Sequence, residues 1–261
     1  MSVVESFVVN VAPFGESRTA YVYLPNNYST TGEPLPVIYF CDGQNLFDKS
    51  VSAFGVIWNI GETMDEIYRN TGKSAVVVGL CASANHRNTE YSPWHCNGVE
   101  AEYWGDDVGG EGHAYAEFLA KSMTETTLQR YNVSSNPKNV AVAGSSMGGL
   151  ISCYIAMRYN DVFGYMGLFS SAVCFNRQKF GDFFRSMDKK PDSRAFVYCG
   201  GNEQTDGISS ETMLRDSFWL YDRLTEHGVG TLLVVDSGGI HNEISWAKHF
   251  GKMALDFLCQ T

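Results

Sequence analysis

The sequence predicts an α/β fold with a mainly parallel central sheet, helices on both faces and an antiparallel N-terminal edge. Three observations carry this. From residue 36 onward, short apolar runs rich in Val, Ile, Tyr and Phe alternate with longer segments of helical spacing, as a doubly wound parallel sheet requires. Two further runs precede residue 36 with no helical segment between them, and so open the chain as an antiparallel edge. Finally, 261 residues of 44% hydrophobic content suffice for one core. No Pro- or Ser-rich linker, internal repeat or low-complexity segment divides them, so residues 1–261 are expected as a single domain.

In order, the edge strands fall at 4–11 and 18–24. The alternation follows as strand 36–41, helix 58–70, strand 75–82, helix 113–131, strand 139–144 and helix 147–160. It continues with strand 164–170, strand 194–200, helix 208–227, strand 231–236 and helix 243–259. Two long connections remain, 83–112 and 171–193. Long loops in a compact domain are usually functional, and these two are expected as a lid or cap over the active site.

The junction of strand 139–144 with its helix is the most informative segment. Val140-Ala-Val-Ala runs into the Gly-x-Ser-x-Gly pentapeptide Gly144 to Gly148, and Leu150, Ile151, Tyr154, Ile155 and Arg158 continue with helical spacing. The pentapeptide alone would arise by chance in roughly one chain in ten of this length. Its strand-turn-helix context gives it the form of a nucleophile elbow, with Ser146 as the exposed hydroxyl and Ser145 as a decoy. In such an elbow the backbone N–H of the residue after the nucleophile, here Met147, serves the oxyanion hole.

A serine hydroxyl needs a base to take its proton and an acid to orient that base, in the chain order Ser, Asp or Glu, His. Three histidines follow Ser146. His227 ends a helical run, where a cation suits the helix dipole, and His249 sits inside the last helical run. His241 differs, because it lies in a glycine-bearing loop at the carboxyl end of strand 231–236, where open α/β sheets place their chemistry. The acid is expected in the loop after strand 194–200, which offers Glu203 and Asp206. Glu203 is favoured because it lies nearer the strand end.

These residues resemble the putative-esterase (esterase D-like) family of the α/β-hydrolases. That family includes S-formylglutathione hydrolases, feruloyl and acetyl-xylan esterases, siderophore-lactone esterases and mycolyltransferases. The resemblance rests on Val37-Ile-Tyr-Phe-Cys-Asp-Gly-Gln-Asn-Leu-Phe-Asp, Arg87-Asn-Thr-Glu-Tyr-Ser-Pro, the elbow, Gly200-Gly-Asn-Glu, and Gly238-Gly-Ile-His-Asn-Glu with Trp246. It covers nearly the whole chain and implies an α/β-hydrolase fold with a Ser146, Glu203, His241 triad. Most relatives carry aspartate at the acid position. By register with the family, the second oxyanion amide is that of Gln44, with Gly43 as alternative. Asp42-Gly43 stands where many relatives have His-Gly. A carboxylate facing an oxyanion would repel it, so Asp42 is expected to hydrogen-bond within its loop.

Composition narrows the partners. A formal net charge of -10 with no basic run argues against nucleic acid and anionic membrane surfaces. No basic region followed by an apolar core opens the chain and no apolar run approaches membrane-spanning length, so a cytoplasmic location is the default expectation. Seven cysteines without Cys-x-x-Cys spacing read as free thiols. His95-Cys96 has no second ligand pair, and Gly109-Gly-Glu-Gly lacks the Lys-Ser/Thr of a phosphate loop, so neither metal nor other cofactor is expected. Trp58, Tyr91, Trp94, Tyr103 and Trp104 lie in or beside loops expected at the catalytic rim, where such rings stack on sugars or aromatic acyl groups. The resulting expectation is a serine carboxylesterase acting on short-chain or aryl (acetyl- or feruloyl-type) esters of a carbohydrate or other polar alcohol. The alternatives are an acyltransferase with the same triad and a non-catalytic ligand-binding relative.

Overall fold

A computed structural model describes residues 1–96, 104–105, 107–205 and 207–259. Its apolar runs pair edge to edge into one eight-stranded sheet, in the order β1-β2-β4-β3-β5-β6-β7-β8. The strands are β1 Val3–Val11, β2 Glu16–Leu24, β3 Val37–Cys41, β4 Val76–Leu80, β5 Val140–Ser145, β6 Tyr165–Phe169, β7 Arg194–Gly200 and β8 Gly230–Asp236. β1 pairs antiparallel with β2, and β2 antiparallel with β4. From β4 through β3, β5, β6 and β7 to β8 every pairing is parallel. The expected fold is therefore the observed one.

Burial follows from this order. β3, β4, β5 and β6 are buried at every position, whereas β1 and β8, each with one free edge, are largely exposed or half-buried. Parallel strands covered on both faces read as continuous apolar runs, which is how they appear in the sequence. Two large cores result, one on each face of the sheet, besides a small cluster around Cys199. One packs the helix Met147–Arg158 and the segment 112–130 against the sheet, and the other packs the helices Ile60–Thr71 and Glu243–Leu258. Met147–Arg158 is buried from Met147 through Met157, so its sequence shows little polar face.

The path of the chain places the site. After β3 it moves outward to β4, then returns to the other side of β3 to form β5. The connections leaving the carboxyl ends of β3 and β5 therefore diverge and open a crevice between them, the usual ligand position of an open α/β sheet.

Two expectations need correction. Residues 113–131 are not one regular α-helix. Gly112–Phe118 and Thr124–Arg130 are joined through a π-helical stretch, Leu119–Met123. There Thr124 and Thr127 donate their hydroxyls to the carbonyls of Ala120 and Met123 at 2.8 Å, the local competition by which threonine disturbs a helix. Likewise, the connection 171–193 contains a helix, Arg177–Ser186, capped by Asn176, whose side chain accepts the Lys179 amide at 3.0 Å. Gly181 inside it weakens the helical pattern, and burial of Phe180 and Phe184 holds the helix. Among the described residues no helix is long and apolar enough to cross a membrane.

The connection 83–96 is tied to the sheet by charge. Arg18 of β2, 6% exposed, donates two hydrogen bonds of 2.7 Å to the fully buried carboxylate of Glu90, in the short helix Arg87–Glu90. Removing the carboxylate would leave a buried guanidinium with only the partly exposed Glu16 for a partner. Glu90→Ala is expected to cost about 3–5 kcal/mol, read as a fall in the denaturant midpoint without a change in slope. Loss of well under about 1 kcal/mol would show that this pair does not hold the connection.

Candidate active site

β5 must turn into its helix within one residue, and the backbone there is strained. Ser146 has φ 56° and ψ -123°, a conformation rarely open to residues other than glycine. Hydrogen bonds over-determine it. Its N–H donates to Phe169 O at 2.9 Å, and its carbonyl accepts from the amides of Gly149, Leu150 and Ala172 at 3.0–3.1 Å. Gly144 is required by the same closeness, since a Cβ there would lie 2.6 Å from the Gly148 carbonyl oxygen. Met147 follows as the first residue of the helix, where an N–H has no intrahelical acceptor.

The second element is the turn after β3. Asp42 has φ 59°, and Gly43–Asn45 form a 3-10 turn. Gly43 must be glycine, because a Cβ would sit 2.2 Å from the Gly79 carbonyl oxygen of β4. The turn's own bonds use the amides of Asn45 and Leu46, and Gln44 lines the cavity that Ser146 also lines. The Asp42 carboxylate hydrogen-bonds outside its own turn, to the short helix Arg87–Glu90: Arg87 grips both its oxygens at 2.6 and 2.7 Å. Arg87 lies 5.1 Å over the Tyr91 ring, and the Tyr91 hydroxyl accepts the Asp42 amide at 3.2 Å.

The loops after β7 and β8 form the third element and are stitched by backbone bonds, Gly201 N–H to Asp236 O at 2.7 Å and Asn202 N–H to Gly239 O at 2.9 Å. They set Glu203, which is fully buried, with one oxygen 3.2 Å from Nδ1 of His241. Its other oxygen accepts from the Ser170 hydroxyl at 2.5 Å and the Gly200 amide at 2.8 Å. Ser170 in turn accepts the indole N–H of Trp246 at 2.9 Å, and the Trp246 ring stands edge-on to His241 at 5.0 Å. A buried carboxylate with its lone pairs so satisfied can hold imidazole in one tautomer and stabilise its protonated form. Asp206 lies outside the described residues.

Ser146, Gln44 and His241 line one cavity of about 600 Å³, with Trp246 and Trp104 among its walls. No hydrogen bond joins the Ser146 and His241 side chains among the described residues, a contact that in such sites often tightens only with substrate bound. The other two histidines are engaged elsewhere. His227 faces the carbonyls of Arg223 and Phe184, and His249 bonds Asp236 at 3.1 Å.

Of the aromatic residues expected at the rim, Trp104 lines the cavity, and three others are placed elsewhere. Trp58 is 1% exposed and stacks behind Trp246, 5.6 Å away. Tyr91 is fully buried under Arg87. Trp94 packs on Tyr154, Phe180 and Phe183 beside a separate hollow. Rings this large remove most area from water when buried, and the core claimed them. Tyr103 lies outside the described residues. Sequence reasoning missed Ser170, a hydroxyl at the carboxyl end of β6, as well as Phe54, Asn45 and the acid Glu243, which also line the cavity. Burial pushes the Glu243 carboxyl above its ordinary range, and nearby Asp42 adds to this. Among the described residues no group of His, Cys, Asp and Glu side chains is placed to hold a metal ion.

Comparison with known proteins gives concordant results. Residues 12–256 match the family described as Putative esterase. The chain is 24% identical over 239 residues to the uncharacterized protein YbbA of Bacillus subtilis, covering 90% of each. It is also 24% identical to an endo-1,4-beta-xylanase/feruloyl esterase of Xylanibacter ruminicola, over 92% of this chain but 29% of that protein. In fold it is similar to an IroE-like serine hydrolase from Shewanella oneidensis, with a TM-score of 0.77 at 17% identity over 97% of this chain and 80% of that one.

The network around Glu203 predicts graded losses. Glu203→Gln should lower kcat by roughly 10³- to 10⁴-fold by disturbing the tautomer and charge of His241. Ser170→Ala removes one hydrogen bond to a charged group and should cost about tenfold. Steady-state kinetics on an activated ester test both, and a larger loss in Ser170→Ala would reassign the orienting role.

Proposed function

This chain belongs to the Putative esterase family, and we propose on that premise that it is a serine carboxylesterase working through an acyl-enzyme. The observation that carries the reading is the buried Glu203 bonded to His241, which lines the cavity that Ser146 enters from a strained elbow. Ser146 Oγ attacks the ester carbonyl while His241 Nε2 takes its proton. The carbonyl oxygen, now negative, is held by the Met147 and Gln44 amides. His241 returns the proton to the departing alcohol, then activates water to release the acid.

The cavity also favours a substrate class. A volume of about 600 Å³ suits a short or aryl acyl group joined to a compact alcohol. Phe54, Val56, Trp104 and Trp246 supply its apolar wall, and Asp42, Arg87, Asn88 and Asn45 its polar one. We therefore propose short-chain or aryl esters of a carbohydrate or similar polar alcohol, with weak action on long acyl chains. The feruloyl esterase among the relatives points the same way.

Ser146→Ala should reduce kcat by roughly 10⁴-fold or more, while Ser145→Ala stays active. A fluorophosphonate should label Ser146 alone, located by mass spectrometry, and a label on Ser145 would overturn the assignment. In a panel of acetyl, feruloyl and long-chain esters, the first two should show the higher kcat/KM. A preference for the long chain would refute the substrate class, and transfer to an added alcohol outrunning hydrolysis would make the protein an acyltransferase.

A further inference from the structure

A three-residue turn cannot by itself fix the direction of its amides, so the turn Gly43–Asn45 needs outside support, and Asn45 supplies it. The Asn45 carbonyl accepts the Trp58 amide at 2.9 Å. Its side-chain oxygen accepts from the Ala53 amide at 3.0 Å and the Ser52 hydroxyl at 3.3 Å. Its Nδ2 donates to a Glu243 oxygen at 3.1 Å, across 198 positions of sequence. Asn45 is 5% exposed and Glu243 4%, so the bond between them is shielded from water. Asn45 directly follows Gln44, and Glu243 opens the last helix two residues after His241.

We propose that Glu243 and Asn45 are positioning residues, whose mutual hydrogen bond sets the Gln44 amide at the distance from His241 that the transition state needs. This rests on the reading of the site as a serine esterase. The physical ground is that no other side-chain hydrogen bond among the described residues joins the turn Gly43–Asn45 to the segment bearing His241. The buried carboxyl also has a local cost. Burial penalises its charge, and without Asn45 an acid at this place in the wall would lack that donor. A positioning role gives the acid a use that a methyl group could not fill.

The test compares Glu243→Ala, Glu243→Gln, Asn45→Ala and the double variant Glu243→Ala/Asn45→Ala on one activated ester. A trifluoromethyl ketone, which adds to the serine and forms an oxyanion, reports the transition-state geometry directly. Each single alanine variant should lose roughly 10- to 100-fold in kcat, keep KM within about twofold, and bind the ketone weaker by the same factor as kcat. Glu243→Gln keeps an acceptor for Asn45 and should recover to within about threefold of the parent. The double variant should lose no more than the worse single one. Additive losses, a rise in KM with kcat intact, failure of the glutamine to rescue, or a lower thermal midpoint with unchanged kinetics would each overturn the proposal. Full activity of Ser146→Ala would instead refute the esterase reading of the site.

Discussion

The structure depends on one constraint of chain path, the reversal of direction across the sheet between β3 and β5. Their outgoing connections must separate, and the crevice so formed cannot be filled by either. The turn after β3 and the elbow after β5 face it by necessity. Residues with left-handed backbone cluster there for the same reason. Asp42 and Ser146 each leave a buried parallel strand that has no room for a gradual bend. The strain, of order 1–3 kcal/mol per residue, is held by hydrogen bonds, at Ser146 to Phe169 of β6 and at Asp42 to Tyr91 and Arg87.

Polar groups on this rim are buried, and the fold meets their cost by joining them into chains. Glu203 draws on Ser170, Gly200 and His241, and Ser170 draws on Trp246, whose ring rests on Trp58. Trp58 therefore bears on the site through the core rather than by touching a substrate. A second chain runs from Arg18 to Glu90, and along one short helix to Arg87 and Asp42. It links β2 through these contacts to the turn after β3. Each chain would be destabilising if interrupted, because a buried ion or amide without its partner costs more than the intact pair contributes.

Tyr91 shows how such a chain replaces a direct contact. Its hydroxyl holds the Asp42 amide, its ring carries the Arg87 guanidinium, and its burial keeps both fixed. Burial and the Asp42 charge push the Tyr91 phenol well above its ordinary range, so it stays a neutral hydrogen-bonding group.

The sequence by itself determined the strands, most helices and the strand-to-helix turn at Ser146, because periodicity and glycine sterics are local. A run of β-branched residues or a Gly-x-Ser-x-Gly turn constrains its own backbone whatever surrounds it. It favoured Glu203 over Asp206 only by nearness to the strand end, and the tertiary structure puts Glu203 against His241. Only the tertiary structure decided that Trp58, Tyr91 and Trp94 pack away from the cavity, that 171–193 holds a helix, and that Asn45 meets Glu243. Those outcomes depend on which distant surfaces meet. Whether a ring is buried or a carboxyl paired is settled by partners tens to hundreds of residues away, which no local pattern records.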